Sequence, residues 1–185
     1  MIIKSFEINK INFENYKLYL FYGKNEGLKN ELIHKYFIKD FKGSIIKYDE
    51  KEFLNNQEII LGQMKNQSLF ENEKLIIISR VSDKITNIIN EILNKDIGDT
   101  KIIFKSSVLE KRSKLRVLFE KSKSLVNVPF YEENSSNLAS LAVNFLNENK
   151  IKISREAINL LVNRARGDRD NIKNELKKIK SYSIT

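Results

Sequence analysis

Tyr22-Gly23-Lys24-Asn25-Glu26-Gly27-Leu28-Lys29 sets two glycines where an apolar run gives way to a helical pattern. A nucleotide-binding α/β protein holds phosphate at this point. The chemistry needs four residues between the glycines, followed by Gly-Lys-Ser/Thr, so that amides cradle the anion, lysine reaches the β/γ oxygens and a hydroxyl holds magnesium. Here three residues separate the glycines, Leu28 and Lys29 stand where Lys and Ser/Thr belong, and Glu26 repels an anion. A nucleotide hydrolase also needs carboxylates at the end of a later buried strand. After Leu75-Ile76-Ile77-Ile78, however, come Ser79, Arg80, Val81 and Ser82 before Asp83. Together these defects predict nucleotide-binding architecture without catalysis and without a cofactor.

Cysteine is absent and histidine occurs once, at His34. Thiol chemistry, disulfides, thiolate or histidine metal sites and histidine triads are thereby excluded. Two further stretches suit recognition. Lys105, Lys111, Arg112, Lys114, Arg116, Lys121 and Lys123 are opposed only by Glu110 and Glu120. With Leu115, Leu118 and Phe119 anchoring one face of a helix, Arg112 and Arg116 fall one turn apart on another, either to meet phosphates or an acidic subunit or to face solvent. In Gln67-Ser68-Leu69-Phe70-Glu71-Asn72-Glu73, two large apolar residues interrupt a polar connection. Exposed, they form an anchor pair for a partner's pocket; folded back, they plug the end of a sheet.

The elements that position these residues follow from periodicity. Short, nearly continuous apolar runs at Leu18 to Tyr22, Ile45 to Tyr48, Leu75 to Ile78, Ile102 to Phe104 and Leu125 to Val128 predict strands buried on both faces of a parallel sheet. Helix-length segments lie between them. In the clearest, Ile85, Ile88, Ile89, Ile92 and Leu93 form one apolar stripe. This is a βαβ alternation, hence an α/β fold. After Pro129 and Glu132-Glu133-Asn134-Ser135-Ser136 the strands stop and three helices follow. Ser135 or Ser136 is expected to cap the first, Ser154 the second and Asp168 or Asp170 the third, with Gly167 ending the helix before it. The expected domains are 1–131, α/β, and 132–185, small and helical.

The chain of 185 residues is 41% hydrophobic and 31% charged, so a disordered or fibrous class is excluded. Its net charge of +9 invites an acidic partner. Part of that charge is expected from codon bias, since lysine is abundant beside isoleucine and asparagine. No signal-peptide core and no stretch of about 20 apolar residues is found, and a cytoplasmic location is expected.

The chain resembles the delta subunit of the bacterial DNA polymerase III clamp loader. Leu20-Phe21-Tyr22-Gly23 with its degenerate loop is similar to that family's opening strand and turn. Gln67-Ser68-Leu69-Phe70 followed by Lys74-Leu75-Ile76-Ile77-Ile78 is similar to its clamp-binding element and next strand. Leu109-Glu110-Lys111-Arg112-Ser113-Lys114-Leu115 is similar to its motif after the fourth strand, and Ile151-Lys152-Ile153-Ser154 through Gly167-Asp168 to Glu175-Leu176 to its helical second domain. The resemblance implies an AAA+-like subunit in DNA replication that neither binds nor hydrolyses ATP. It further implies that Leu69 and Phe70 enter a hydrophobic pocket of the sliding clamp (the beta subunit) and help open the ring, with Ser68, Gln67 and Met64 lining or orienting the contact. The implied partners are the clamp, the gamma/tau and delta-prime subunits and, through the loader, DNA, with no membrane. Family members continue into a helical collar domain; this chain ends without one, as a fragment or a short relative. The alternatives are an AAA+ ATPase with an atypical phosphate loop and a basic nucleic-acid-binding module.

Overall fold

The structure is a computed structural model and describes residues 1–65 and 73–183. Five strands form one parallel sheet: β1 (Leu18–Gly23), β2 (Ser44–Asp49), β3 (Glu73–Ser79), β4 (Asp99–Ser106) and β5 (Leu125–Phe130), in the order β2-β3-β4-β1-β5. The interior strands follow from their continuous apolar runs, since a parallel strand covered on both faces has no solvent side to mark with polar residues. The run at Ile45 to Tyr48 departs from the expectation of two buried faces. β2 is an edge strand in which Ile45 and Lys47 are exposed while Ile46 and Tyr48 turn inward. β5 is also at an edge, yet all six of its residues are buried. The first residues of the chain cover it: Ile3 N–H donates to Asn127 O and Asn127 N–H to Met1 O, each at 2.9 Å.

Helices α2 (Glu50–Asn55), α3 (Gln57–Lys65), α4 (Thr86–Leu93) and α5 (Lys114–Lys121), with the 3-10 turn Asp83–Ile85 that leads into α4, supply the residues that pack on one face of this sheet. Phe53, Ile60, Met64, Ile85, Ile89, Leu115 and Phe119 meet Leu18, Leu20, Ile76, Ile78, Ile102 and Phe104 there. On the other face Phe37 packs edge-on against Tyr19, ring centroids 4.9 Å apart, and Phe21 lies 5.2 Å from Phe130. Tyr19 is fully buried and donates its hydroxyl to Tyr16 O (2.7 Å), and burial raises its pKa well above the phenol range.

The chain forms two compact units, residues 1–23 with 33–130 and residues 24–32 with 131–185. In the second, α6 (Ser135–Glu148), α7 (Arg155–Ala165) and α8 (Arg169–Ser183) enclose Leu138, Ala142, Leu146, Val162, Ala165, Ile172 and Leu176. Asn134 caps α6, accepting from Asn137 N–H at 2.7 Å. The expected Ser135 and Ser136 are instead the first helical residues, because the carboxamide one position earlier already supplies the acceptor. Ser154 caps α7, and Asp168 accepts from the N–H groups of Asp170 and Asn171 at the start of α8. Arg166 and Gly167, both at positive φ, end α7. No helix among the described residues is long and apolar enough to cross a membrane.

Candidate partner-binding segment and the loop after the first strand

Gly23 ends β1 at φ +126°, donates its N–H to Ser107 O (2.9 Å), and lies so close to Phe130 O that a Cβ would stand 2.0 Å from it. Only glycine fits there. Two residues on, Asn25 is 1% exposed and accepts from Leu28 N–H (3.0 Å), capping helix α1 (Glu26–Ile33) while its Nδ2 donates to Tyr131 O (3.2 Å). The side chain of Lys29 is fully buried and pairs with Glu26.

The first turn of α1, whose free N–H groups would favour an anion, already has a carboxyl group against it. A Cβ on Gly27 would fall 2.6 Å from Asp170 N and 2.8 Å from the Asp170 carboxyl carbon. One turn further on, Glu31 accepts from Arg169 Nε (2.8 Å) and pairs with Lys173, while Arg169 Nη1 reaches Glu133 (2.6 Å). Burial alone would raise the pKa of Glu31, but the hydrogen bonds from Lys173 and Arg169 outweigh it and hold the carboxyl below its ordinary value. Lys29, Gly27 and the helix start thus all meet protein partners, while Lys24 in the loop itself is exposed and pairs with Glu132 at 3.2 Å.

The ends of the later strands are likewise committed. Arg80, at φ +60° after β3, pairs with Asp49 (2.6 Å), and Glu50 accepts from Ser82 N–H (2.6 Å). Asp83 accepts from Ser113 Oγ (2.6 Å) and Leu115 N–H (3.0 Å), and these bonds hold its carboxyl below its ordinary pKa. It tethers the start of α5. Among the described residues, no group of three or more His, Asp or Glu side chains is placed to hold a metal ion.

The two arginines of the basic segment separate. Ser113 caps α5, so Arg112 lies before the helix and the expected one-turn spacing does not apply. Arg112 is almost fully exposed, with its Nε 2.8 Å from Glu110. Arg116 turns inward: Nε pairs with Glu120 (2.7 Å), Nη1 donates to Leu109 O (3.2 Å), and its guanidinium lies 5.2 Å from the Tyr22 ring centroid.

Gln67, Ser68, Leu69 and Phe70 lie outside the described residues. Met64, just before them on α3, is a core residue with 3% exposure. Sequence spacing points to neither the Asp170–Gly27 approach nor the Arg116–Tyr22 stack. Acidic residues at the start of α8 read as caps, and no local signal names the distant glycine that one of them meets.

No family model matches the chain, and no curated protein matches it either. Among solved structures it is similar to the Bacillus subtilis DNA clamp loader delta protein (YqeN), with a TM-score of 0.57, 18% identity, and coverage of 96% of this chain and 57% of that one. It is similar also to the replication initiator DnaA bound to AMPPCP and single-stranded DNA, with a TM-score of 0.53, 14% identity, and coverage of 91% and 57%. The chain thus spans 57% of each of these structures. At these identities the likeness is one of fold: a parallel α/β sheet unit followed by helices.

Proposed function

We propose that this chain is a non-catalytic clamp-loader subunit in DNA replication that binds the sliding clamp through Leu69 and Phe70 and helps open it. The observation that carries the reading is the loop after β1. On a fold similar to a clamp loader delta protein, Lys29 in the first turn of α1 is buried on Glu26 and the helix start faces Asp170. The residue types Gln67-Ser68-Leu69-Phe70 supply the contact. Burying two such side chains contributes about 1.5–3 kcal/mol each, enough to dominate a small interface. A pocket that accepts them only in a distorted ring shifts the clamp toward opening. Further partners on this reading are the gamma/tau and delta-prime subunits.

The test is direct binding between this protein and the sliding clamp of its own source, with Leu69→Ala/Phe70→Ala as the variant. Loss of both side chains should weaken the complex at least about 100-fold. A double variant that binds as tightly as the parent refutes the assignment. A second reading, an AAA+ ATPase with an atypical loop, draws on the DnaA structure, which holds AMPPCP. Calorimetric titration with ATP and magnesium separates the two, since the clamp-subunit reading expects no heat of binding.

A further inference from the structure

The basic segment is not spread evenly around α5. Lys111, Lys114, Lys121 and Lys123 are all exposed, and none makes an ion pair among the described residues. Lys114 and Lys121 are seven residues apart, which sets them on one side of the helix about 10 Å from each other. Lys111 precedes the helix and Lys123 follows it, so four exposed cations succeed one another in a row along the α5 segment. The nearby carboxylates are engaged: Glu120 with Arg116, Glu110 with Arg112, and Asp83 with Ser113 and Leu115. The mount is ordered as well. Arg116 holds Leu109 O and stacks on Tyr22, and Asp83 fixes the start of the helix, so the row is presented on a tethered loop and helix.

We infer that the row Lys111, Lys114, Lys121 and Lys123, with Arg112 beside it, is a contact surface for the phosphate backbone of nucleic acid. Phosphates on one strand of a duplex recur about every 3.4 Å along the axis, so 10 Å of helix edge spans about three of them. An acidic protein face fits less well, because protein interfaces are poor in lysine and are built around an apolar centre. The exposed large hydrophobics beside the row are scattered, Val108 before the helix and Met1 and Ile2 after it, where the chain's terminal amine donates to Ser122 O at 2.7 Å, and they form no apolar centre within the segment. No exposed aromatic side chain lies within the segment from Lys105 to Lys123 to stack a base. The contact therefore reads charge and spacing, not sequence. This inference does not depend on clamp binding, which involves other residues.

Fluorescence anisotropy of the full chain with a labelled duplex DNA, repeated over a series of salt concentrations, tests it. With about four phosphates contacted, log K should fall against log salt with a slope of about −3.6. Lys111→Ala/Lys114→Ala/Lys121→Ala should weaken binding at low salt at least about 10-fold and flatten the slope by roughly 2 to 3. Lys177→Ala/Lys178→Ala/Lys180→Ala on α8 removes the same charge and should change affinity less than about 2-fold. Lysine acetylation of the unmutated protein gives an independent readout, in which duplex DNA should protect Lys111, Lys114 and Lys121 but not Lys177. Absence of binding, equal loss in the two triple variants, or no selective protection overturns the inference. So does a row variant that loses an acidic protein partner while holding DNA unchanged.

Discussion

Arg112 and Arg116 show how far the same residue type can diverge in energetic weight. Arg116 is mostly covered and holds the Glu120 carboxylate, the Leu109 carbonyl and the Tyr22 ring. Removing its side chain leaves a carboxylate and a carbonyl short of a donor and unties the loop before α5. Arg116→Ala should therefore lower the unfolding free energy by about 1.5–3 kcal/mol. Among the described residues the exposed Arg112 makes only a surface pair with Glu110, so Arg112→Ala should stay within about 0.5 kcal/mol of the parent. Urea denaturation of both variants checks this, and equal losses would mean that the inward bonds of Arg116 contribute nothing. A conservative Arg116→Lys should recover only part of the loss, because an ammonium cannot reach the glutamate and the carbonyl with the same planar fork.

Helix α1 meets α8 where Gly27 approaches Asp170. All five strands and the three final helices could be read from apolar runs and 3.6-residue periodicity, because burial on a sheet or in a bundle is written locally in residue type. That α1 belongs with the unit of residues 131–185 was not legible, since the close approach of Gly27 to Asp170 joins residues far apart in the chain. The degenerate phosphate loop was readable as a list of missing residues. What stands against its helix start was not. Gly27→Ala tests the approach. Alanine normally improves a helix by about 1 kcal/mol over glycine, but here its Cβ would meet backbone at 2.6 Å. Overpacking of this kind costs about 1–3 kcal/mol, so the variant should lose stability instead of gaining it, as thermal unfolding would reveal. Glu31 adds a pH signature. Its folded pKa is depressed, so its contribution is present above the ordinary carboxylate value and is lost as pH falls through the folded one. Glu31→Gln should lower stability at neutral pH and flatten its decline below about pH 4.5.

At the scale of the whole molecule, a closed loop and a paired helix start make a prediction about ligand linkage. A nucleotide that bound only the folded chain would stabilise it by about 2.7 kcal/mol at a concentration 100 times its dissociation constant. For a chain of this size that amounts to a rise in melting temperature of several degrees, at about 2–4 °C per kcal/mol. With Lys29 buried on Glu26, and Asp170 against the first turn of α1, ATP and magnesium at millimolar concentration should leave the transition unmoved. Asp170→Asn sharpens the point. If the carboxyl group were the sole obstacle, removing its charge would create a nucleotide-dependent shift. The loop also lacks the lysine and hydroxyl that phosphate and magnesium require, so the variant should stay unresponsive to ATP. A shift in the parent protein would defeat the non-catalytic reading, whereas a shift confined to Asp170→Asn would show that charge at this one position is what keeps nucleotide out.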